Sequence, residues 1–152
     1  FRRSHRQDGE NMSNEALDRA HIADLLNRYT WALSDRDWSA WVGVFTPDAH
    51  VDYSTAGGPV GDPKTAADTF GGMMGMFDVN LSSGSNLTIA FSDDDTAKVR
   101  SMYTMVMRIP GADGAQPTYM QASGWYDDTV VRTSDGWRIA NRFEQLVYVK
   151  PA

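Results

Sequence analysis

Apolar residues recur at helical spacing through the first part of the chain and at alternate positions through most of the rest. Between Asn14 and Leu33 they form one stripe, which predicts an amphipathic helix. Its members are Ile22, Leu25, Leu26, Tyr29, Ala32 and Leu33. A second short helix is predicted after Asp37, a capping residue, because Trp38, Trp41, Val42 and Phe45 keep helical spacing until Pro47. We therefore interpret Trp38 and Trp41 as core residues.

Beyond Pro47 the pattern changes to strands and turns. "HVDYS" predicts a short strand with Val51 and Tyr53 on one face. Asp62 before Pro63 then predicts the start of a third helix that runs to about Phe70. The following "GGMMGMF" breaks the helical pattern and is typical of a flexible apolar segment, either a gap filler or a pocket lid.

The second half of the chain predicts four long strands separated by turn-forming stretches. They cover residues 86–91, 97–109, 118–132 and 137–149. Helices followed by an antiparallel meander indicate an α+β fold, with N-terminal helices packed on a curved, mainly antiparallel sheet.

Composition narrows the classes of function. The chain has 152 residues and a net charge of −6, which disfavours nucleic acid as a partner, and it lacks an apolar run long enough for a membrane span. It has no cysteine, and its three histidines lack metal-ligand spacing, so we expect no metal and no cofactor. Residues 1–13 are interpreted as a leader or added tail, residues 14–150 as one domain, and a cytoplasmic location is the default expectation.

Two stretches carry a family resemblance. "RYTWALSDRDWSAWVGVFTPDAHVDY" and "TSDGWRIANRF" resemble the SnoaL-like branch of the nuclear transport factor 2-like superfamily, over roughly residues 14–149. The resemblance implies a cone-shaped α+β barrel with a deep pocket between the sheet and the helices. Members include polyketide cyclases, scytalone dehydratase, a bile-acid dehydratase and ketosteroid isomerase, together with binding proteins and subunits without chemistry of their own.

The dehydratase-type site of that family carries over only in part. Its two tyrosines fall on Tyr29 and Tyr53, whereas its acid–base pair falls on Ser34 and Ser82, the latter leading to Asn86. A further ionisable position falls near Met105, which cannot titrate. The usual Asp/His pair is therefore absent from the matching positions, and proton transfer needs a group whose pKa lies near the working pH.

Other residues complete the candidate site. Asp35 follows Ser34 and reaches the pocket only if the helix ends irregularly, because it lies about 100° further round the helix. Met105 and Met107 would shape the pocket wall. Trp31 lies about 200° from Tyr29, so it contacts a ligand only if the helix deforms and otherwise packs against a neighbouring element or an interface.

Three functions remain open from the sequence. The first is an enzyme resembling the dehydratases, cyclases and isomerases, acting on a hydrophobic carbonyl, polyketide-like or steroid-like compound. In it Tyr29 and Tyr53 donate hydrogen bonds to a ligand carbonyl, and Ser34, Ser82 and Asn86 add polar contacts. The second is a non-catalytic binder of a hydrophobic metabolite, in which both tyrosines are ordinary buried residues, and the third is an accessory subunit.

Self-association is also expected. In residues 118–149 large side chains occur on both faces of the predicted strands, with Tyr119 and Trp125 on one face and Tyr126 on the other. A sheet face exposed to water should be mostly polar. The pattern therefore predicts a homodimer or homotrimer.

Overall fold

Helices precede a long meander in the computed structural model, which describes the backbone from Arg2 to Pro151 and the side chains from Asn14 to Lys150. The helices are α1 (Arg2–Asp35), α2 (Trp38–Gly43) and α3 (Pro63–Met74). The strands are β1 (Phe45–Asp52), β2 (Val60–Gly61), β3 (Val79–Asp93), β4 (Thr96–Ile109), β5 (Thr118–Thr133) and β6 (Gly136–Pro151). No helix in this range has a stretch apolar and long enough to cross a bilayer.

Helix α1 lies across the sheet and buries the stripe predicted from the sequence. All six stripe residues, from Ile22 to Leu33, are buried in the core. The helix extends further towards the N-terminus than Asn14 and begins at Arg2. Residues 1–13 were interpreted as a leader. Their side chains lie outside the described residues, so this interpretation stays a prediction.

Helix α2 begins as predicted but ends early. The Asp37 carboxylate accepts a hydrogen bond from the Ala40 backbone amide at 2.9 Å, which satisfies an otherwise unpaired N–H of the first turn. The helix stops at Gly43, and Phe45, predicted as its last core residue, is instead the first residue of β1. Pro47 lies inside β1, at a place where the pairing of β1 with β6 shifts between Phe45 and His50. Because residues in this irregular stretch are not paired, the missing N–H of Pro47 breaks no hydrogen bond of the sheet.

Helix α3 continues past the predicted break. It begins at the Asp62 cap as expected, but it runs through Gly71 and Gly72 to Met74. Glycine weakens a helix without forbidding it, and apolar packing of Met74 and Phe77 compensates here. Residues 71–74 are therefore helical, and the prediction of an irregular segment was wrong for them.

The six strands form one sheet in the order β2-β1-β6-β5-β4-β3. Strands β3 to β6 are an antiparallel meander, and β1 joins β6 in parallel. The predicted α+β class, with helices on a curved, mainly antiparallel sheet, is confirmed. Strand β3 starts at Val79 rather than near residue 86. The sequence analysis missed its first half because residues 82–85, Ser-Ser-Gly-Ser, lack β-rich alternation.

A β-bulge in β6 inverts the faces of that strand. Thr129 pairs with Asn141 and Val130 with Ile139, so Ala140 is an additional residue. Since successive side chains alternate between faces, this single residue moves Arg142 and Glu144 onto the buried face that Ile139 also occupies. The bulge thereby places two charged side chains in the interior.

Candidate functional site

An apolar cavity of about 290 Å³ lies between α1, α3 and the sheet. Its wall combines aromatic rings with methionines, whose unbranched thioethers adapt to irregular shapes. Six of the eight methionines of the chain line it: Met73, Met74, Met76, Met105, Met107 and Met120. Such a wall suits a hydrophobic small molecule.

Four tyrosines close one end of this cavity. Tyr29 from α1 shares a hydrogen bond with Tyr53 at 3.0 Å between hydroxyl oxygens, and it donates a longer one of 3.5 Å to Tyr126. Tyr103 stacks on Tyr126, with ring centroids 4.7 Å apart. Burial raises the pKa of Tyr53 and of Tyr126 well above the ordinary value, and the neighbouring Tyr29 adds to this effect. Both hydroxyls therefore remain protonated and able to donate.

A buried ion pair fixes the position of these rings. Arg142 Nε and Nη2 donate to the two carboxylate oxygens of Asp128 at 2.8 and 2.6 Å, and the side chains are only 1% and 0% exposed. The guanidinium carbon lies 3.9 Å from the ring centroid of Tyr29 and 4.0 Å from that of Tyr126. Burial lowers the pKa of Arg142, but the Asp128 carboxylate together with Tyr29 and Tyr53 outweighs this and raises the pKa, so the cation persists.

A single carboxyl group lines the cavity among the described residues, and it belongs to Glu144. Burial raises the pKa of Glu144, whereas the Tyr103 hydroxyl and the Arg142 cation oppose that rise. Burial also raises the pKa of Tyr103, and the negative charge of Glu144 adds to it. The Tyr103 hydroxyl thus faces Glu144, and it makes no hydrogen bond to any other described residue. Glu144 and Tyr103 together form a polar spot in an apolar wall.

The structure brings some of the predicted site residues to this cavity. Tyr29, Tyr53, Met105 and Met107 line it. Trp31 does not, because it is 68% exposed on the outer side of α1. Asp35 lies beside it on the same outer surface, as expected for a helix that stays regular to its last residue.

The remaining predicted polar residues are Ser34 of α1 and Ser82 and Asn86 of β3. Ser34 accepts a hydrogen bond from the backbone amide of Ser82, with 2.9 Å between Oγ and N. Asn86 is exposed, and its φ of 53° places it in the left-handed region that asparagine tolerates. It lies at a bulge of β3, where the pairing with β4 shifts between Ser85 and Thr88. None of these three residues lines the methionine-rich cavity.

Five residues of the site escaped the sequence analysis: Tyr103, Tyr126, Asp128, Arg142 and Glu144. Alternation along β5 carried a signal for two of them, since Tyr126 and Asp128 share a face with the buried Val130. The bulge at Ala140 hid Arg142 and Glu144, because unbroken alternation from Ile139 assigns both of them to the solvent face. No group of three His, Asp or Glu side chains within the described residues could hold a metal ion.

A cone-shaped α+β fold with a cavity between N-terminal helices and a curved sheet defines the nuclear transport factor 2-like class. The chain belongs to the SnoaL-like domain family, which matches residues 14–143. The resemblance drawn from the sequence is thereby confirmed.

A sequence relative matches most of the chain, and solved structures share its fold. An uncharacterised protein of Mycobacterium tuberculosis is 35% identical over 136 residues, covering 90% of each chain. A protein assigned as a scytalone dehydratase from Novosphingobium aromaticivorans superposes with a TM-score of 0.80 at 21% identity, over 93% of this chain and 91% of that one. The type 2 hexachlorocyclohexane dehydrochlorinase LinA gives a TM-score of 0.78 at 16% identity, over 91% of both chains. At these identities the structural likenesses show the fold alone.

Proposed function

We propose that this protein binds a hydrophobic carbonyl compound in the methionine-rich cavity and moves a proton on it, as a lyase or isomerase does. The observation that carries the proposal is the buried Glu144 carboxyl, which lies beside the Tyr103 hydroxyl in a wall that is otherwise apolar. A carboxyl whose pKa is raised by burial is a stronger proton acceptor than an exposed one.

The residues divide the reaction between them. Glu144 takes the proton from a carbon next to the ligand carbonyl, and the electrons of that C–H bond form a C=C bond while the carbonyl becomes an enolate. The oxygen on which the charge develops accepts a hydrogen bond from the Tyr103 hydroxyl and one from the Tyr29–Tyr53 pair, in which one hydroxyl gives up its present acceptor when the ligand binds. Return of the proton to another carbon completes an isomerisation, and departure of a leaving group completes an elimination.

The names of structural neighbours favour the elimination branch. The similar chain from Novosphingobium aromaticivorans is assigned as a dehydratase, and LinA is named a dehydrochlorinase. Both names describe removal of a small molecule from an organic substrate. This support is an analogy between folds, so the assignment of roles rests on Glu144 and the tyrosines.

Exchange of substrate protons with deuterium tests the proposal without knowledge of the product. Cyclohexanone, 1-tetralone and a 3-ketosteroid would be incubated with the protein in D2O, and loss of the α-proton signal would be followed by NMR. We expect Glu144→Gln to lower the exchange rate about 100-fold or more, with binding of the ketone retained, because general-base catalysis contributes about 10²–10⁴-fold.

Asp35→Asn is the matched control, since it neutralises the exposed carboxyl that the sequence placed near the site. We expect its exchange rate to equal that of the wild type. Loss of exchange in Asp35→Asn with retention in Glu144→Gln would transfer the role to Asp35. Binding of a ketone without any exchange above buffer would contradict catalysis.

The stability of the protein should depend on pH through Glu144. Because burial raises its pKa, the folded chain holds this proton more tightly than the unfolded chain does. Its stabilising contribution is complete below the ordinary pKa of 4.5 and is lost as the pH rises through the folded-state pKa. We expect Glu144→Gln to be more stable than the wild type at neutral pH, with a difference that shrinks on acidification. Urea unfolding of both proteins across this range measures it, and a difference independent of pH would contradict the raised pKa.

A non-catalytic binder of a hydrophobic metabolite is the second candidate. One observation favours it: at the positions where the family resemblance implies an acid–base pair, the backbone amide of Ser82 donates a hydrogen bond to Ser34 Oγ. Neither hydroxyl has a pKa suited to proton transfer near neutral pH. An accessory subunit would share this property, and the exchange experiment separates both from the enzyme.

We also propose that the protein forms a homodimer or homotrimer through the outer face of the sheet. Met102, Val106, Tyr119 and Tyr148 are exposed on that face, and several large apolar side chains exposed on one face favour an interface. Sedimentation at micromolar concentration should give two or three times the mass of one chain. Val106→Lys should shift the species towards the monomer, whereas Val60→Lys, at an exposed valine of β2, should not. A wild-type monomer would contradict the proposal.

A further inference from the structure

Strand β1 ends at Asp52, so it covers only part of the neighbouring edge of β6. The last pair of their parallel ladder joins Asp52 to Phe143. Beyond Phe143 no described strand pairs with β6 on that side. The next backbone groups along this edge are the Glu144 carbonyl and the Leu146 amide. Both need partners, because backbone polar groups left unpaired beside a buried residue lower stability.

The Thr55 hydroxyl takes the place of the missing strand. It donates a hydrogen bond to the Glu144 carbonyl oxygen at 2.9 Å and accepts one from the Leu146 backbone amide at 2.8 Å. A hydroxyl can do both because it has one donor and two acceptor lone pairs. In a parallel ladder, one residue likewise donates to one residue of the neighbouring strand and accepts from the residue two positions further on. The Thr55 side chain therefore continues the ladder of β1 past its last residue.

Strand β6 is irregular on both sides of Glu144. The additional residue Ala140 precedes it, and a second bulge at Val147 follows it. Bulges interrupt the ladder and bend the strand locally. The two bonds of Thr55 span the short stretch between these bulges, where Glu144 is buried and lines the methionine-rich cavity. They hold the backbone at the place where the direction of the carboxyl is decided.

The turn that carries Thr55 also carries Tyr53. The Tyr53 amide donates to the Pro59 carbonyl at 3.0 Å, and the Gly58 amide donates to the Tyr53 carbonyl at 2.9 Å, which closes the turn. At Gly58 a Cβ atom would lie 2.7 Å from Cβ of Tyr53, so this close approach requires glycine. A closed turn of this kind fixes the position of Thr55 relative to Tyr53.

We infer that Thr55 is a positioning residue, which holds the Glu144 carboxyl in a fixed place relative to the Tyr53 hydroxyl. The inference rests on the proposed function, in which Glu144 takes the proton and the Tyr29–Tyr53 pair binds the oxygen. Thr55 does not line the cavity and acts through the backbone of β6. Its removal therefore slows the proton transfer and leaves the binding of the ketone nearly unchanged.

Thr55→Val tests this role, because valine keeps the branched shape and removes both hydrogen bonds. Exchange of the ketone α-protons in D2O should become about tenfold slower, with the Kd of the ketone changed by less than about twofold, since small displacements of a reacting group cost rate. Thr55→Ser restores the hydroxyl and should recover the wild-type rate. A wild-type rate in Thr55→Val, or a loss that Thr55→Ser does not recover, would overturn the inference.

Thr133→Val is the matched control. The Thr133 hydroxyl also donates to one backbone carbonyl, that of Gly136 at 2.7 Å, and accepts from one backbone amide, that of Asp135 at 3.2 Å. It lies at the turn between β5 and β6 and does not line the cavity. Both valine variants should lower the midpoint of urea unfolding, but only Thr55→Val should slow the exchange. Equal slowing in both would assign the effect to a general loss of stability and refute the positioning role.

The ¹³C signal of the Glu144 carboxyl gives a readout that does not depend on catalysis, and its loss in Glu144→Gln assigns it. Because burial raises the pKa of Glu144, displacement of the carboxyl in Thr55→Val should move this pKa back towards its ordinary value. Thr133→Val should leave it unchanged. An unaltered pKa in Thr55→Val would overturn the inference even where the exchange is slower. Absence of exchange in the wild type would contradict the proposed function alone, and the titration would still decide whether Thr55 positions Glu144.

Discussion

Asp128→Ala is expected to lower the free energy of unfolding by about 3–5 kcal/mol, because it leaves the Arg142 cation buried without a counter-ion. Arg142 is 1% exposed, so water cannot solvate the charge that remains. The cation lies between the rings of Tyr29 and Tyr126, which attract it but cannot neutralise it. Urea denaturation at neutral pH measures the loss.

A second Arg–Asp pair in the same sheet supplies the control. Arg108 also donates two hydrogen bonds to one carboxylate, that of Asp78, but these side chains are 36% and 39% exposed. Asp78→Ala should lower stability much less than Asp128→Ala does, because solvent screens exposed pairs. Equal losses at the two positions would show that burial does not set the strength of the pair.

Replacement of both partners separates the ion pair from the packing it provides. Asp128→Leu combined with Arg142→Met removes both charges and keeps apolar volume between the two rings. Such replacements are often neutral or stabilising, so the double variant should recover most of the stability that Asp128→Ala loses. A double variant as unstable as the single one would mean that no apolar pair can fill this space.

The sequence predicted the helices and the meander because their burial follows regular periods. The α1 stripe from Ile22 to Leu33 is buried throughout, and the strands after residue 96 agree with the predicted ones to within a few residues. The errors in α3 and β3 occur where the regular spacing of apolar residues stops although no proline or turn sequence ends the element. Helix α3 passes through Gly71 and Gly72, and the first half of β3 contains the stretch Ser-Ser-Gly-Ser at 82–85, which has neither helical nor strand character.

The candidate site was only half visible for a related reason. Tyr29 and Tyr53 could be predicted because the family resemblance places its two tyrosines at these positions, and both are buried in the core. Glu144 could not be predicted, because its inward direction depends on one additional residue, Ala140, in β6. A second bulge lies further along β6 at Val147, opposite Gly124 of β5. A Cβ at Gly124 would overlap the Gln145 carbonyl oxygen, so the close approach requires glycine. Such offsets follow from pairing between strands and leave no periodic mark in either one.

Trp41→Ala is expected to lower the free energy of unfolding by about 3–5 kcal/mol, through the large cavity it leaves in the core. Trp41 is 0% exposed and packs against Trp38 of its own helix and against four aromatic rings outside it. Its ring centroid lies 4.8 Å from that of Phe45, 5.7 Å from Phe70, 6.0 Å from Tyr29 and 6.3 Å from Tyr53. These contacts join α1, α2, α3 and β1, so one truncation loosens the whole wall of the methionine-rich cavity.

Two aromatic substitutions on α1 show whether that loss is specific to the core. Trp31→Ala removes an equally large side chain that is 68% exposed, and it should change stability by about 0.5 kcal/mol or less. Tyr29→Phe removes only the hydroxyl that pairs with Tyr53, so it should lower stability by about 1 kcal/mol and weaken a bound ketone by a similar amount. Thermal unfolding and ketone titration of the three variants give both quantities. A larger loss of stability in Tyr29→Phe than in Trp41→Ala would contradict the assignment of Trp41 to the core and of Tyr29 to the site. The tyrosine hydroxyls would then contribute more to the stability of the fold than the Trp41 ring does.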